Sequence, residues 1–362
     1  MVIPIGAAIV SLLVLVILHE LGHFWTARRF GIKVEEFGIG LPPRLFGKKI
    51  GETIYSLNLL PLGAFVRMEG EEGESKSPTS FSAKPVWQRL LVVAGGVIVF
   101  WMIAAALLGV LAATSGIQAQ VPDEEPISNP WVQIQGIAQD SPAQEAGIML
   151  GDQIIALAAG EAIVREVTTV SAVQEFAEAY AGQEVEITLL RGNEEARVSL
   201  IPRVDPPAGQ GAMGIALSRI GTIQYAWYEA PLQGVLMTLE MTGRIVGFFG
   251  VLIADLVTGR EVEIGTDDVR GPIGIISMMQ EAFSGNLPQF FMFVALISIH
   301  LAIFNVLPIP ALDGGRMFFL LIEAVRRKPL PQAWEQRMIV VSMLLLISLI
   351  VLISIQDISR VL

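Results

Sequence analysis

The amino-acid sequence predicts an α-helical integral membrane protein with about four transmembrane helices and one separate α+β domain. Its 362 residues are 53% hydrophobic, and the mean hydropathy is +0.60. Four apolar stretches are long enough to cross a bilayer as helices. An acidic segment between the second and third stretches shows the short alternating strands and capped helices that are typical of a soluble domain.

The first predicted span has no basic start and no small-residue cleavage site after it. We therefore interpret it as a retained helix and not as a signal peptide. A further apolar stretch, residues 231–256, contains Glu240, Arg244 and Asp255, and these charges favour an interfacial amphipathic helix over a span. The four predicted spans are residues 2–24, 90–114, 290–311 and 338–355.

The distribution of lysine and arginine predicts the orientation of the spans. Nine of them lie in residues 25–85 and four more in residues 326–337, which places both of these loops in the cytoplasm. Residues 116–230 contain five Arg, no Lys and sixteen Asp or Glu, so their net charge equals the −11 of the whole chain. This segment is predicted to be extracytoplasmic. The acidic pI of about 4.9 excludes the basic surface that nucleic-acid binding needs.

The acidic segment is predicted to consist of a linker, residues 116–130, and a compact α+β domain, residues 131–206. Ser141 and Pro142 are typical of a helix start, and Gly147 is typical of a helix end. The predicted elements are a short helix at 141–147, a strand at 152–157, a helix at 169–181 and a hairpin with strands at 185–190 and 196–201.

The first span ends in the sequence His19-Glu20-Leu21-Gly22-His23. Residues four apart lie on one face of a helix, so both imidazoles can bind one zinc ion while Glu20 acts as general base. The alternative is two buried histidines with a packing role, but two of only three histidines in the chain lie here. Because the chain has no cysteine, the metal ligands must be histidine and carboxylate.

A second element, residues 305–316, interrupts the third span with the sequence Asn-Val-Leu-Pro-Ile-Pro-Ala-Leu-Asp-Gly-Gly-Arg. Its two prolines break the helix. Asp313 can complete a site of two imidazoles and one carboxylate, and the alternative is that it only caps the following helix. The two motifs each lie at the end of a span, so they can meet at one depth only if the first and third spans run in the same direction. This requires an odd number of membrane crossings between them, and the second span already supplies one. Residues 207–288 are therefore predicted to form an interfacial amphipathic region that does not cross.

These two motifs, with the run Ser-Pro-Ala-Gln-Glu-Ala-Gly that begins at residue 141, resemble the site-2 protease family of intramembrane zinc metalloproteases. The closest resemblance is to its bacterial regulator of sigma-E protease branch, here with a single PDZ-like domain. The resemblance implies that His19, His23 and Asp313 bind Zn²⁺ and that Glu20 is the catalytic base. It also implies cleavage of transmembrane segments of single-pass membrane proteins in regulated intramembrane proteolysis. The expected substrates are anti-sigma-factor-like regulators or remnant signal peptides.

The resemblance further implies a cytoplasmic-side β-hairpin, whose edge holds the unwound substrate as an added strand. The hairpin residues expected to bind substrate are Gly38, Gly40, Gly63 and Ala64. A purely structural hairpin over the site is the alternative.

Two residues of the third span are also expected to contact substrate. Asn305 is expected near the substrate, with packing through an interhelical hydrogen bond as the alternative. His300 stands where the family commonly has Asn. It is expected to contact substrate or pack between helices, with metal ligation as a less favoured option.

The remaining predictions concern partners and location. The PDZ-like domain is expected outside the cytoplasm, either binding peptide C-termini by strand addition or serving only as a spacer. The site is expected near the cytoplasmic side of a bacterial inner membrane. The alternative functions are a non-cleaving membrane PDZ scaffold and a zinc peptidase of soluble peptides. Residues 1–115 and 289–362 are predicted to form the N-terminal and C-terminal membrane parts.

Overall fold

The computed structural model describes residues 2–361 except Glu72, Glu74, Lys76, Asn193 and the ranges 260–273, 276–277 and 280–285. The chain divides into two compact units. The membrane unit comprises Met1–Leu111 and Trp227–Leu362, and the sheet unit comprises Ala112–Ala226. Part of the predicted interfacial region, residues 207–288, lies outside the described residues.

The elements are numbered in chain order. The helices are α1 (Val2–Arg29), α2 (Val86–Thr114), α3 (Pro142–Glu145), α4 (Val170–Ala179), α5 (Ala230–Thr258), α6 (Leu287–Val306), α7 (Asp313–Arg326) and α8 (Gln332–Val361). The strands are β1 (Val34–Ile50), β2 (Thr53–Met68), β3 (Ile117–Gln120), β4 (Ser128–Ile137), β5 (Gln153–Ala159), β6 (Ala162–Arg165), β7 (Val185–Arg191), β8 (Glu194–Leu200) and β9 (Ile215–Ile223).

Within the described residues, five helices are long and apolar enough to cross a membrane: α1, α2, α5, α6 and α8. The predicted combination of apolar helices and a sheet domain is therefore confirmed. α1 and α2 cross at glycine. A Cβ on Gly22 would collide with the carbonyl oxygen of Gly95, and a Cβ on Gly95 would lie 2.7 Å from the side chain of Thr26. Such small residues allow two backbones to approach closely inside a membrane.

Helix α5 covers the stretch predicted as an interfacial helix, and its position relative to the membrane stays a prediction. It lies lengthwise along α2, because Gly234 packs on Gly109 near one end and Trp101 Nε1 donates a hydrogen bond of 3.2 Å to Thr242 Oγ1 further along. The two helices are thus antiparallel. The charges that suggested an interfacial position form an i,i+4 ion pair of 2.7 Å between Arg244 and Glu240, which lowers the cost of placing them on an apolar helix.

The two strands of the hairpin are long and bend back on themselves. The first half of β1 pairs with the second half of β2, as in Ile39 with Ala64, and also with the first half of β2, as in Ile39 with Leu57. The second half of β1 pairs with the first half of β2, as in Phe46 with Leu57. The segment from Leu60 to Met68 therefore lies at one edge of this sheet, and no other described strand pairs with its outer side.

Two polar side chains are buried inside the hairpin and support its unusual pairing. The carboxylate of Glu36 accepts hydrogen bonds from Ser56 Oγ at 2.6 Å and from Arg44 at 2.7 Å. Asn58 Nδ2 donates to the carbonyl oxygens of Ile39 and Gly40 at 3.3 and 3.1 Å. Buried polar groups are tolerated when they are satisfied in this way, and they favour one register over others.

The sheet unit contains the strand order β3-β9-β4-β5-β7-β8, with β6 paired to β5. Ser141 Oγ accepts from the backbone N–H of Gln144 at 3.2 Å and Pro142 begins α3, as the cap pattern predicts. β7 and β8 form the predicted hairpin. The PDZ-like identity of this unit remains a prediction.

The observed boundaries of the sheet unit differ from the predicted ones. Much of the predicted linker is folded: β3 pairs with β9, and the carboxylate of Asp123 accepts hydrogen bonds from the backbone N–H groups of Val170 and Ser171 at the start of α4. Arg219 donates to the carbonyl oxygens of Pro122 and Glu125. β9 also lies beyond the predicted end of the domain at residue 206. These contacts join segments about 50 to 100 residues apart, so no local pattern indicates them.

The sheet unit is expected to lose stability in acid. The carboxylate of Asp152 is buried, which by itself raises its pKa, but hydrogen bonds from Arg191 at 2.9 and 2.7 Å and from Met149 N–H at 2.8 Å outweigh burial and lower the pKa. A lowered pKa in the folded state stabilises the fold above the unfolded-state pKa of about 3.9, and this contribution is lost as pH falls through the folded-state value.

We expect Asp152→Asn to destabilise the sheet unit by about 1.5–3 kcal/mol at pH 7, since a charged hydrogen-bond acceptor is removed from a buried site. This effect is measured by heating the full chain in detergent and monitoring unfolding of the sheet unit as protease cleavage within residues 112–226. The difference between variant and wild type should shrink as pH falls below about 4, because Asp152 of the unfolded chain then binds a proton before the folded carboxylate does. If the stability difference between Asp152→Asn and the wild type stayed the same at low pH, the stabilising role of the ionised Asp152 carboxylate would be contradicted.

Candidate metal centre

The structure brings together three predicted ligands from opposite ends of the chain. His19 Nε2 and His23 Nε2 lie 3.2 Å apart on α1, and Asp313 Oδ2 at the start of α7 lies 3.2 and 3.3 Å from them. Both histidines are 7% exposed. In the described part of the chain, these residues form the group that could hold a metal ion.

The spacing of the three atoms fits zinc. Ligand atoms about 2.0–2.1 Å from a tetrahedral zinc ion lie about 3.3–3.4 Å from one another. All three observed separations are within about 0.2 Å of this edge length. Asp313 Oδ2 is also buried with no hydrogen-bond partner among the described residues, as expected for an oxygen that faces a cation.

The surroundings orient the two imidazoles differently. His23 Nδ1 lies 3.0 Å from the carbonyl oxygen of Val92, so this nitrogen carries the proton and Nε2 keeps its lone pair for a metal. The ring of His19 stacks on Phe100, with centroids 4.5 Å apart and an interplanar angle of 15°. Phe100 is 2% exposed, which keeps the ring of His19 in place by packing.

Sequence reasoning missed one residue of this centre, Gly96 on α2. A Cβ at this position would lie 2.8 Å from His19 Cε1 and even closer to His23 Nε2. Only glycine therefore allows α2 to approach both imidazoles. The consecutive glycines Gly95 and Gly96 inside an apolar span were the available signal.

The broken end of α6 positions Asp313. Helix α6 ends at Val306, and Gly314 and Gly315 pack against backbone carbonyl groups of residues 306–309 so closely that a Cβ on either would collide. The N-cap of α7 is Leu312, which makes no side-chain capping bond, and Asp313 is the first helical residue. The capping role considered for Asp313 therefore does not describe this helix start.

Glu20 lies half-buried beside the cluster, one residue after His19. The titratable groups near its carboxylate include His19, His23, Asp313 and Glu71. It does not belong to the group of potential ligands. A carboxylate next to a metal site but outside its ligand set can exchange protons with a nearby water molecule.

The structure does not bring the other predicted residues of α6 into the cluster. His300 Nδ1 lies 2.8 Å from the carbonyl oxygen of Leu296 one turn earlier, and His300 is absent from the potential ligand group. Asn305 Nδ2 donates to the carbonyl oxygen of Leu301 at 2.9 Å, a bond within its own helix and not between helices. Both residues bind their own helix backbone.

The four predicted hairpin residues lie in two adjacent segments of the hairpin, the first half of β1 and the second half of β2. Gly38 pairs with Phe65, whose ring would collide with a Cβ at position 38. Gly40 and Gly63 have φ of +80° and +85°, which favour glycine. Gly63 and Ala64 lie on the edge segment from Leu60 to Met68.

Comparison with known proteins agrees with this centre. The family model described as Peptidase family M50 matches residues 7–349. A putative zinc metalloprotease of Clostridium perfringens is 36% identical over 356 residues, covering 97% of each chain. One of Nostoc sp. is 30% identical over 98% of this chain and 95% of the relative. The regulator of sigma-W protease RasP of Bacillus subtilis is 29% identical over 96% of each chain.

A zinc-sized group of two imidazoles on a long apolar helix and one carboxylate at the start of α7, together with the family match, defines a membrane zinc metalloendopeptidase. The chain belongs to Peptidase family M50, the site-2 protease family. The predicted zinc cofactor and peptidase activity are confirmed, and the non-cleaving scaffold is not supported.

Proposed function

We propose that this peptidase cleaves the transmembrane segments of single-pass membrane proteins. The observation that carries the proposal is the depth of the cluster along α1. His23 and His19 precede the end of that helix at Arg29 by six and ten residues, which is about 9 and 15 Å at the rise of an α-helix. A hydrolytic site at this depth is suited to a peptide bond that is itself within the bilayer.

His19, His23 and Asp313 would hold the zinc ion. When bound, zinc supplies Lewis-acid activation of a water molecule and of the scissile carbonyl group. Glu20 accepts a proton from the attacking water at a carboxylate oxygen and delivers it to the nitrogen of the leaving amine. The Val92 carbonyl keeps the Nδ1–H tautomer of His23, and Phe100 keeps the orientation of His19.

The edge of the hairpin is the proposed substrate site. A helical peptide bond is shielded by its own side chains and hydrogen bonds, so the substrate must become extended before attack. The segment from Leu60 to Met68, which includes Gly63 and Ala64, offers an edge to which an extended chain can add as a strand. We also propose substrate-binding roles for Gly38, Gly40, Asn305 and His300, none of which belongs to the group of potential metal ligands.

The location and substrates follow from charge and from the relatives. The basic loops favour a cytoplasmic hairpin and site in a bacterial cell membrane, with the acidic sheet unit outside. One relative is named a regulator of sigma-W protease, and we propose anti-sigma-factor-like proteins or remnant signal peptides as substrates in regulated intramembrane proteolysis. The sheet unit is proposed to bind peptide C-termini as a PDZ-like domain.

The test is cleavage in reconstituted vesicles that contain the enzyme and a single-pass protein with one apolar span. We expect mass spectrometry to find cleavage inside the span, loss of all cleavage with a zinc chelator such as 1,10-phenanthroline, and recovery when Zn²⁺ is added back. A denatured soluble protein in the same vesicles is the control and should remain intact. Cleavage only outside the apolar span would contradict the proposal.

A further inference from the structure

An ion pair connects the hairpin to the helix that carries Asp313. Arg316 lies one turn after Asp313 on α7, and its guanidinium contacts Glu71 Oε1. The side chain of Glu71 is 10% exposed and that of Arg316 is 34% exposed. These residues are 245 positions apart in sequence, so the pair forms only in the folded membrane unit.

The other carboxylate oxygen of Glu71 connects to the edge segment of the hairpin. Glu71 Oε2 accepts a hydrogen bond of 3.1 Å from the backbone N–H of Met68, the last residue of β2. One carboxylate therefore bridges the end of the edge segment and the helix of the third ligand. Ala64, on the same segment, is only four residues from Met68.

Apolar packing beneath the ion pair already holds the base of the hairpin. Phe37, Met68, Phe24, Val93 and Leu320 belong to one buried cluster that joins the hairpin, α1, α2 and α7. Stability alone therefore does not require the ion pair, and buried ion pairs often add little stability because desolvation offsets the attraction. A role in fixing geometry explains the pair better than a role in holding the fold together.

We infer that Glu71 and Arg316 are positioning residues that fix the register of the substrate strand against the metal centre. This inference rests on the proposed function of the edge segment. Successive residues of a strand are about 3.3 Å apart and point to opposite faces, so a slip of one residue presents a different peptide bond. The ion pair between Glu71 and Arg316, with the hydrogen bond from Met68 N–H to Glu71, links the edge segment to the helix of Asp313. This link fixes the edge segment along the strand direction and therefore restricts slips of a substrate strand paired with it.

Glu71→Gln in the full-length protein tests the inference. The glutamine oxygen can still accept from Met68 N–H, so mainly the charge that pairs with Arg316 is removed. We expect zinc content to be unchanged, kcat for a single-pass substrate to fall about 10- to 100-fold, and cleavage to spread over neighbouring peptide bonds. Arg316→Lys keeps the charge but loses the planar guanidinium group. In this variant the same neighbouring bonds should be cleaved, but they should make up a smaller fraction of the products than in Glu71→Gln.

The matched control is Glu323→Gln. Glu323 forms a comparable ion pair with Arg89 at 3.0 and 2.5 Å, with side chains 18% and 11% exposed, and it lies on the same helix α7. Among the described residues, this ion pair joins α7 to α2 and not to the hairpin. We expect this variant to lower thermal stability while cleavage stays at the wild-type bond. A single wild-type cleavage position in both Glu71→Gln and Arg316→Lys would overturn the inference, as would equal spreading in Glu323→Gln.

The double variant Glu71→Gln with Arg316→Lys separates a joint role from two independent ones. If the two residues act only through their ion pair, cleavage in the double variant should spread no further than in the single variant with the wider spread. Additive spreading would overturn the inference. Failure of the proposed function would be seen in a different measurement. In that case the wild-type protein itself would cleave no bond inside the apolar span.

Discussion

Glu20→Gln is expected to abolish cleavage of a membrane substrate while the protein keeps its zinc. The carboxylate lies beside the cluster of His19, His23 and Asp313 but outside the group of potential ligands. Its replacement by a neutral isostere removes the proton acceptor and leaves the three ligands in place. Loss of a general base typically lowers the rate about 10²- to 10⁴-fold, so kcat should fall by this factor or below detection.

Two measurements check this expectation together. Metal analysis of the purified variant should find the same zinc content as in the wild type, and the melting temperature should change little. Asp313→Asn is the comparison variant, since it weakens a ligand and should lower both zinc content and activity. Full activity of Glu20→Gln would show that Glu20 is not the base, and loss of its zinc would contradict its place outside the ligand set.

Gly96→Ala has the second-largest expected effect. The added methyl group would lie 2.8 Å from His19 Cε1 and closer to His23 Nε2, so α2 and the imidazoles must move apart. We expect zinc affinity to fall on the order of 10- to 100-fold, as when other supports of metal ligands are removed, with activity falling in parallel. Crowding in a packed core also costs about 1–3 kcal/mol of stability.

Gly6→Ala provides the matched control on α1. A Cβ at position 6 has no other atom within 4 Å, so the same chemical change meets open space. This variant should keep its zinc affinity and activity. Zinc titration with a fluorescent chelator competitor measures both variants, and wild-type affinity in Gly96→Ala would contradict the role of this glycine.

Local patterns predicted the elements that depend on neighbouring residues. The four-residue spacing of His19 and His23 on a helix, the cap at Ser141 and the hairpin of β7 and β8 all correspond to observed features. The helix break before Asp313 was also predicted, because two prolines within three residues end a helix regardless of what packs around them.

Contacts between distant segments could not be read in this way. β1 pairs with both halves of β2, and the same alternating sequence would suit a simple hairpin. Glu240 and Arg244 predicted an interfacial helix by their charge alone; their mutual ion pair and the packing of their helix along α2 are features that only the tertiary structure shows. β3 was predicted as a linker because its partner strand, β9, lies a hundred residues later.

The amino-acid sequence alone thus determined the chemistry of this protein: two imidazoles and a carboxylate in apolar spans, beside an acidic domain. Helical periodicity, proline and charge act over a few residues, so they can be read directly from the chain. Only the tertiary structure decided which backbones come close enough to require glycine at position 96, and which charges meet, as Glu71 and Arg316 do. The reason is physical, since steric exclusion and ion pairing depend on distances of a few ångströms between segments that the sequence leaves far apart.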